Sequence, residues 1–396
     1  MERKPKIALV VSHPIQHFCP QYVSFAKNPQ VEFKVFFGSA LGYKKYTDKN
    51  FGKEISWGNL NLDQFDHVFL NGEHAIASDK NLDAPSLGSN LEAYKPDLVI
   101  IYGYFQKMQR RAHRWAIQNN IKLAYISDSE LRHQRNKLKE LVKYFFIRNY
   151  FKKISYFLSV GNANEDFYSH YGVKQEQFIR MHFPIDIIQY EKSYAEKDLL
   201  RKKIRTQYGI ADHETVLTVV GKLTPWKNQD HIIDAMQLLE AAGIYTNLFV
   251  LGSGQMMEAW QQKAMVLNKS RVFFPGFVNI EELPSYYAAT DIYVHPASME
   301  PHSIAVSEAI YMGCPVIISD RCGSYGDWDD VQEGKNGYTF AFGNIAELAQ
   351  KIRSLTEDIS ARNNFADHSH MIAVGFQETA HKHVLDVLIN RPNSIT

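Results

Sequence analysis

Two carboxylates with seven residues between them, Glu300 and Glu308, bracket the run Pro301-His302-Ser303-Ile304-Ala305-Val306-Ser307. Pro301 biases Glu300 away from helical angles and Ser303 is a good N-cap, which puts Glu300 in a loop and Glu308 inside the helix that follows. The first amides of that helix, from Ile304 onward, have no intrahelical acceptor and carry partial positive charge, which suits a phosphate or a sugar hydroxyl. Upstream, Lys222 and Lys227 lie five residues apart in Gly221-Lys222-Leu223-Thr224-Pro225-Trp226-Lys227, a spacing that lets two ammonium groups meet one diphosphate. Between the two segments lies a glycine turn, Gly252-Ser253-Gly254. Met257 stands where a dinucleotide fingerprint needs a further glycine, which counts against a dehydrogenase and fits backbone passing close to a diphosphate. Each feature also has a plainer reading: two acids on a solvated helix, two surface lysines, an ordinary turn.

The elements that must position these residues are legible as short apolar runs. Runs at 215–221, 247–251, 272–274, 291–295, 314–319 and 337–340 read as strands, and the pattern at 229–239 reads as one of the helices between them. Strands alternating with helices imply a parallel sheet, whose strand exits face a ligand crevice, so the three segments gather at one edge. The first half repeats the alternation with strands at 6–12, 31–37, 96–101, 121–126 and 156–161. After the first strand, His13 and Gln16 are candidates for donor or acceptor contact, or simply the polar tip of a turn. Tyr104, after Tyr102-Gly103, is an acceptor-side candidate. Asp128, in Ser127-Asp128-Ser129-Glu130, sits on another strand exit and also reads as an N-cap or turn residue. The irregular stretch 38–65, with Phe51, Gly52 and Trp57, either shapes a cleft or packs as a surface loop.

At 396 residues the chain exceeds what one core usually supports, so two domains of roughly 180–200 residues are expected. A charge-rich passage from Phe183 to about Tyr194 places the boundary near 190: residues 1–190, then 191–376, then a terminal helix over 377–396. Lys and Arg total 44 against 43 Asp and Glu, which gives no argument for nucleic acid. The opening residues 1–6 lack the pattern of a secretory signal, no apolar run is long enough for a membrane span, and three scattered cysteines form neither a disulfide framework nor a metal pair. These readings point to the cytoplasm. Residues 132–153 interleave Arg132, Arg135, Lys137, Lys139, Lys143, Arg148, Lys152 and Lys153 with five aromatics, a pattern of either a peripheral membrane contact or a core helix with a basic face.

Glu300-x7-Glu308 resembles the signature of family 4 retaining glycosyltransferases, the group-1 enzymes of the GT-B fold. Gly221-Lys222-Leu223 with Lys227 is similar to that family's Gly-Arg-Leu-x-x-x-Lys motif, and Gly276-Phe277-Val278 to its Gly-Phe-Val segment. His13-Pro14-Ile15-Gln16 resembles the opening loop of one bacterial subgroup. Two departures stand out: Lys222 replaces the usual Arg, and His302-Ser303 replaces Phe-Gly. The resemblance implies an α/β GT-B protein with two Rossmann-like, doubly wound domains facing a cleft. Its last helix would pack back on the first domain. The second domain would hold a nucleoside diphosphate sugar as donor substrate, with no cofactor and no metal. Lys222 and Lys227 would neutralise the diphosphate, Glu308 would grip the ribose, and the amides beside Glu300, at Ser303 and Ile304, would hold the sugar. Phe277 and Val278 would border the base, beside Gly221, Gly252 and Gly254. Asp128, His302, Glu300 and His13 would be the catalytic side chains at the reacting carbon. A glycan or lipid-linked hydroxyl would be the acceptor. Two alternatives remain: a glycoside hydrolase using Glu300 and Glu308 as its carboxylate pair, and a nucleotide-sugar binder without turnover.

Overall fold

The computed structural model describes residues 3–390 except 45, 49–52, 56, 59, 76–79 and 133–136. Phe51, Gly52 and Arg135, and the side chains of Lys137 and Lys139, lie outside the described residues. The strands are β1 (Lys6–Val11), β2 (Glu32–Phe37), β3 (Tyr46–Asp48), β4 (Lys53–Ile55), β5 (Asp66–Phe69), β6 (Leu98–Tyr102), β7 (Lys122–Ile126), β8 (Tyr156–Ser159) and β9 (Phe178–Arg180) in the first half. The second half has β10 (Thr215–Val220), β11 (Thr246–Leu251), β12 (Arg271–Gly276), β13 (Ile292–His295), β14 (Val316–Ser319) and β15 (Gly337–Phe340).

Among the described residues, β5-β2-β1-β6-β7-β8-β9 form one parallel sheet, β12-β11-β10-β13-β14-β15 form another, and β3-β4 make a small antiparallel hairpin. The near-continuous apolar runs are explained by burial on both sheet faces: Leu9 and Val11 enter one core of the first domain, Ala8 and Val10 the other. Pro275 lies in β12, an edge strand, where a missing amide leaves no ladder bond unmade and the register with β11 shifts. Strand order reverses beside β1 in one sheet and beside β10 in the other, and at such switch points the exit loops diverge and leave a crevice.

The chain crosses between domains twice. Phe183 is buried in the core of the first domain and Ile185 in that of the second, so the first crossing lies between them; the helix Ile187–Ala195 packs on the second domain through Tyr190. The return runs along the helix Ile359–Glu378 and a π-helical turn, Thr379–His383. Val384, Leu385 and Leu388 of the last helix, Val384–Asn390, then bury in the core of the first domain. Buried Gln377 ties the two crossings: its Oε1 accepts the Ile185 amide at 2.9 Å and its Nε2 donates to the Phe183 carbonyl at 2.8 Å.

Candidate active site

A cavity of about 660 Å³ lies between the carboxyl edges of the two sheets. The second domain supplies Gly221, Lys222, Lys227, Gly252, Phe277, Val278, Glu300, His302, Ser303, Ile304 and Glu308, and the first supplies Gln16, His17, Trp57 and Gly58. Thirteen of the residues singled out from the sequence therefore meet in one place, Gln16 and Trp57 with the eleven from the second domain.

The exits of β10 and β11 interlock through backbone. Gly252 has φ +138°, and a Cβ there would stand 1.9 Å from the Gly221 carbonyl oxygen; one on Gly254, φ +157°, would stand 2.4 Å from that of Leu223. Only glycine permits this approach. Gly254 thus supports the lysine loop from beneath and does not line the cavity, a correction to its assignment as a donor contact. Over Gly221 there is room for the Lys227 ammonium, 4.0 Å from where a Cβ would be.

Lys227 Nζ pairs with Glu300 Oε2, which also lies 3.3 Å from His295 Nε2. Burial opposes ionisation of Glu300, but Lys227 and His295 outweigh it and hold the carboxyl down at about 2. Glu308 has the opposite setting. It rises from the helix Ile304–Tyr311, accepts a hydrogen bond from the Tyr287 hydroxyl at 3.0 Å, and is pushed up to about 7 by burial. Ser303 does occupy the N-cap position, yet its hydroxyl makes no cap bond; its amide donates instead to Ser324 Oγ at 2.8 Å. Ile304 and Ala305 open the helix at the cavity wall, ahead of the first intrahelical bonds.

In the first domain the exit of β1 curls into a single 3₁₀ turn, Gln16–Phe18, which brings Gln16 and His17 to the cavity. His13 does not line it: the ring sits 5.4 Å from that of Trp57, with Nδ1 2.8 Å from Ser12 Oγ, and burial pulls its pKa to about 4. Asp128 is half-buried and is not among the lining residues, and burial raises its pKa, with the charges of Glu300 and Glu130 adding to the rise. Tyr104 faces away. Gly103, at φ +79°, turns the chain, and Tyr104 packs against Phe146 and Tyr150. Trp57 and Gly58 carry the irregular stretch into the cavity, where Gln16 Nε2 donates to the Gly58 carbonyl at 3.2 Å. His302 reaches the wall, but its ring is buried, with Nδ1 2.8 Å from Ser324 Oγ and Nε2 3.3 Å from Asp329 Oδ1. With Asp329 and Asp330 it brings three potential metal-ligand atoms within 4.8 Å of one another.

Sequence reasoning missed His17, Asn279, Ile280, Glu281 and Ala305 as lining residues, and His295 as the partner of Glu300. The last had a signal: a histidine closing an apolar strand five residues before an acid in the exit loop.

Residues 201–370 match the family model described as glycosyl transferases group 1. That segment, within the second domain, is similar to group 1 glycosyl transferases. The chain is similar to the uncharacterized glycosyltransferase MJ1607 of Methanocaldococcus jannaschii, 34% identical over 129 residues, 32% of each chain. It is also similar to the lipopolysaccharide glucosyltransferase WaaG of Escherichia coli, 33% identical over 162 residues, which cover 40% of this chain and 41% of that protein. The matched segments span less than half the length of these curated relatives. Over the whole fold, the crystal structure of Anabaena Alr3699/HepE in complex with UDP superposes with a TM-score of 0.71 at 19% identity, covering 97% of this chain and 99% of that one. At that identity the likeness is of fold, and the fold is GT-B.

Proposed function

We propose that this protein is a retaining glycosyltransferase that moves a sugar from a UDP- or GDP-linked donor to a hydroxyl of a glycan, lipid-linked or small-molecule acceptor. Cell-surface polysaccharide or glycoconjugate assembly is the proposed setting, at the cytoplasmic face of the membrane. The observation that carries the reading is the meeting of Lys222, Lys227 and the start of the Ile304–Tyr311 helix in one cavity with Glu308, opposite Gln16 and His17. A cavity of this size suits a nucleoside diphosphate sugar, and UDP is the ligand of the similar Anabaena structure.

In this account the diphosphate displaces Glu300 as the partner of Lys227. Lys222, Lys227 and the amides of Ile304 and Ala305 then stabilise the charge that grows on the departing phosphate, with no metal ion required. The acceptor hydroxyl attacks the sugar carbon from the face the leaving group vacates. Its proton passes to the departing phosphate oxygen, so the C–O bond to phosphate breaks, the new C–O bond forms, and the products are a glycoside and a nucleoside diphosphate. Glu308, when ionised, accepts from a ribose hydroxyl. The divergent pKa values of Glu300 and Glu308 also suit a glycosidase acid and base, but the depression of Glu300 rests on Lys227, which a glycosidase has no use for. Calorimetric titration with UDP and GDP separates the readings: submillimolar binding of one nucleotide is expected, and absence of both would contradict the proposal.

Among the described residues no helix is long and apolar enough to cross a membrane. The helix Lys137–Phe151 nevertheless exposes Val142 (70%), Phe145 (63%) and Leu141 (57%) among basic residues. We propose that this face rests on anionic lipid and brings the cleft to a lipid-linked acceptor. The expected result is cosedimentation with phosphatidylserine vesicles but not with phosphatidylcholine ones, reduced about tenfold in a Val142→Ser/Phe145→Ser variant. Equal recovery with both lipids, or no loss in the variant, counts against the contact.

A further inference from the structure

One buried carboxylate joins the two domains beside the cavity. Asp329 follows β14 on the loop leading to β15, and its side chain is 0% exposed. Its Oδ2 accepts the amide of Asn162 at 2.8 Å. Asn162 opens the first-domain helix Asn162–His170, whose N-cap is Gly161, so a carboxylate from the other domain serves where a capping side chain is missing. On its other side, Asp329 Oδ1 faces His302 Nε2 at 3.3 Å. The Ser324 hydroxyl accepts the Ser303 amide and lies 2.8 Å from His302 Nδ1, which leaves its own proton for Nδ1 and places the imidazole proton on Nε2, close to Asp329 but without a hydrogen bond to it. A line of polar contacts thus runs from the start of the Ile304–Tyr311 helix to the start of a first-domain helix. Arg180 and Arg132 supply counter-charge to Asp329, which makes the group a poor cation site.

Gly161 gives an independent sign of the same docking. Its φ of −177° is open to any residue, yet a Cβ there would stand 2.4 Å from Asp329 Oδ2. The backbone has no need of glycine at this position; the incoming carboxylate does.

We propose that Asp329 is a positioning residue that latches the second domain to the first and sets the distance between the Ser303 helix start and Gln16 and His17. Its consequence for transfer rests on the functional reading above. The latch itself is tested without any sugar nucleotide. Gly161→Ala wedges the contact and Asp329→Ser empties it, so each raises the radius of gyration measured by X-ray scattering by about 1 Å, from the roughly 21 Å of a compact chain of this length. The double variant is expected to open no further than Asp329→Ser alone, because the methyl then meets vacated space. A residue important only for folding would not give that non-additivity. UDP or GDP affinity should stay within about threefold in all three, since the diphosphate contacts lie on the second domain, while nucleotide release from the donor falls about tenfold or more. Unchanged dimensions in both single variants, or additive opening in the double, would overturn the latch. Failure of the wild type to bind either nucleotide would sink the functional reading and leave the scattering comparison to decide the latch.

Discussion

Lys227→Ala is expected to lower kcat/KM for nucleotide release by about 10²- to 10³-fold, the loss seen when one preorganised charge partner of a developing oxyanion is removed. The effect has two sources that can be separated. Lys227 shares the cavity with Lys222 and pairs with Glu300, and each partner of that ion pair is less than a fifth exposed. Removing the ammonium leaves Glu300 with His295 alone, so its carboxyl rises from about 2 and the fold loses on the order of 2–3 kcal/mol. Adding Glu300→Gln to Lys227→Ala removes the stranded charge. Unfolding free energy in urea should then recover while turnover does not. Recovery of both would mean that Lys227 serves the fold and not the leaving diphosphate.

Glu308→Gln is expected to make the protein more stable and a weaker nucleotide binder. The unfolded chain releases this proton near pH 4.5, the folded one near 7. The favourable contribution of the protonated form is therefore complete below about pH 4.5 and is lost as pH rises through 7. Gln keeps an acceptor for the Tyr287 hydroxyl but cannot ionise, so above pH 8 the variant should exceed the wild type by up to about 3 kcal/mol, and at pH 4 the two should agree. Asp329, which burial lifts to about 6, titrates in both proteins and cancels in the comparison. Loss of an ionised acceptor for a ribose hydroxyl should weaken UDP or GDP binding about 10- to 100-fold at pH 8. Denaturant melts at the two pH values and one titration decide this; a variant no more stable at pH 8.5 contradicts the buried, ionising carboxylate.

The second domain was the more readable because its chemistry follows chain order. Lys222 to Lys227, Gly252 and Glu300 to Glu308 each come directly after a strand buried on both faces, and parallel strands put all their exits on one edge. Local pattern therefore placed them without knowledge of any long-range contact. Elsewhere local pattern fell short. The positive φ of Gly103 sends Tyr104 into the aromatic packing of the Lys137–Phe151 helix, and a single 3₁₀ turn presents His17 beside Gln16 where His13 and Gln16 were expected. Gly254 was recognised as a close-approach glycine, but what approaches is the Leu223 carbonyl and not a ligand. The seam at Asp329 joins residues 167 positions apart through a carboxylate and a backbone amide, with no periodicity or motif in either segment to announce it.

The most direct measurement is nucleotide release by the purified protein across UDP-, GDP- and ADP-sugars with EDTA present, in parallel with Lys227→Ala and Glu308→Ala. The account predicts release of one nucleoside diphosphate, from a UDP- or GDP-sugar, strongly reduced in both variants. Sugar release from a substrate without a nucleotide, or neither binding nor turnover of any donor, would contradict it.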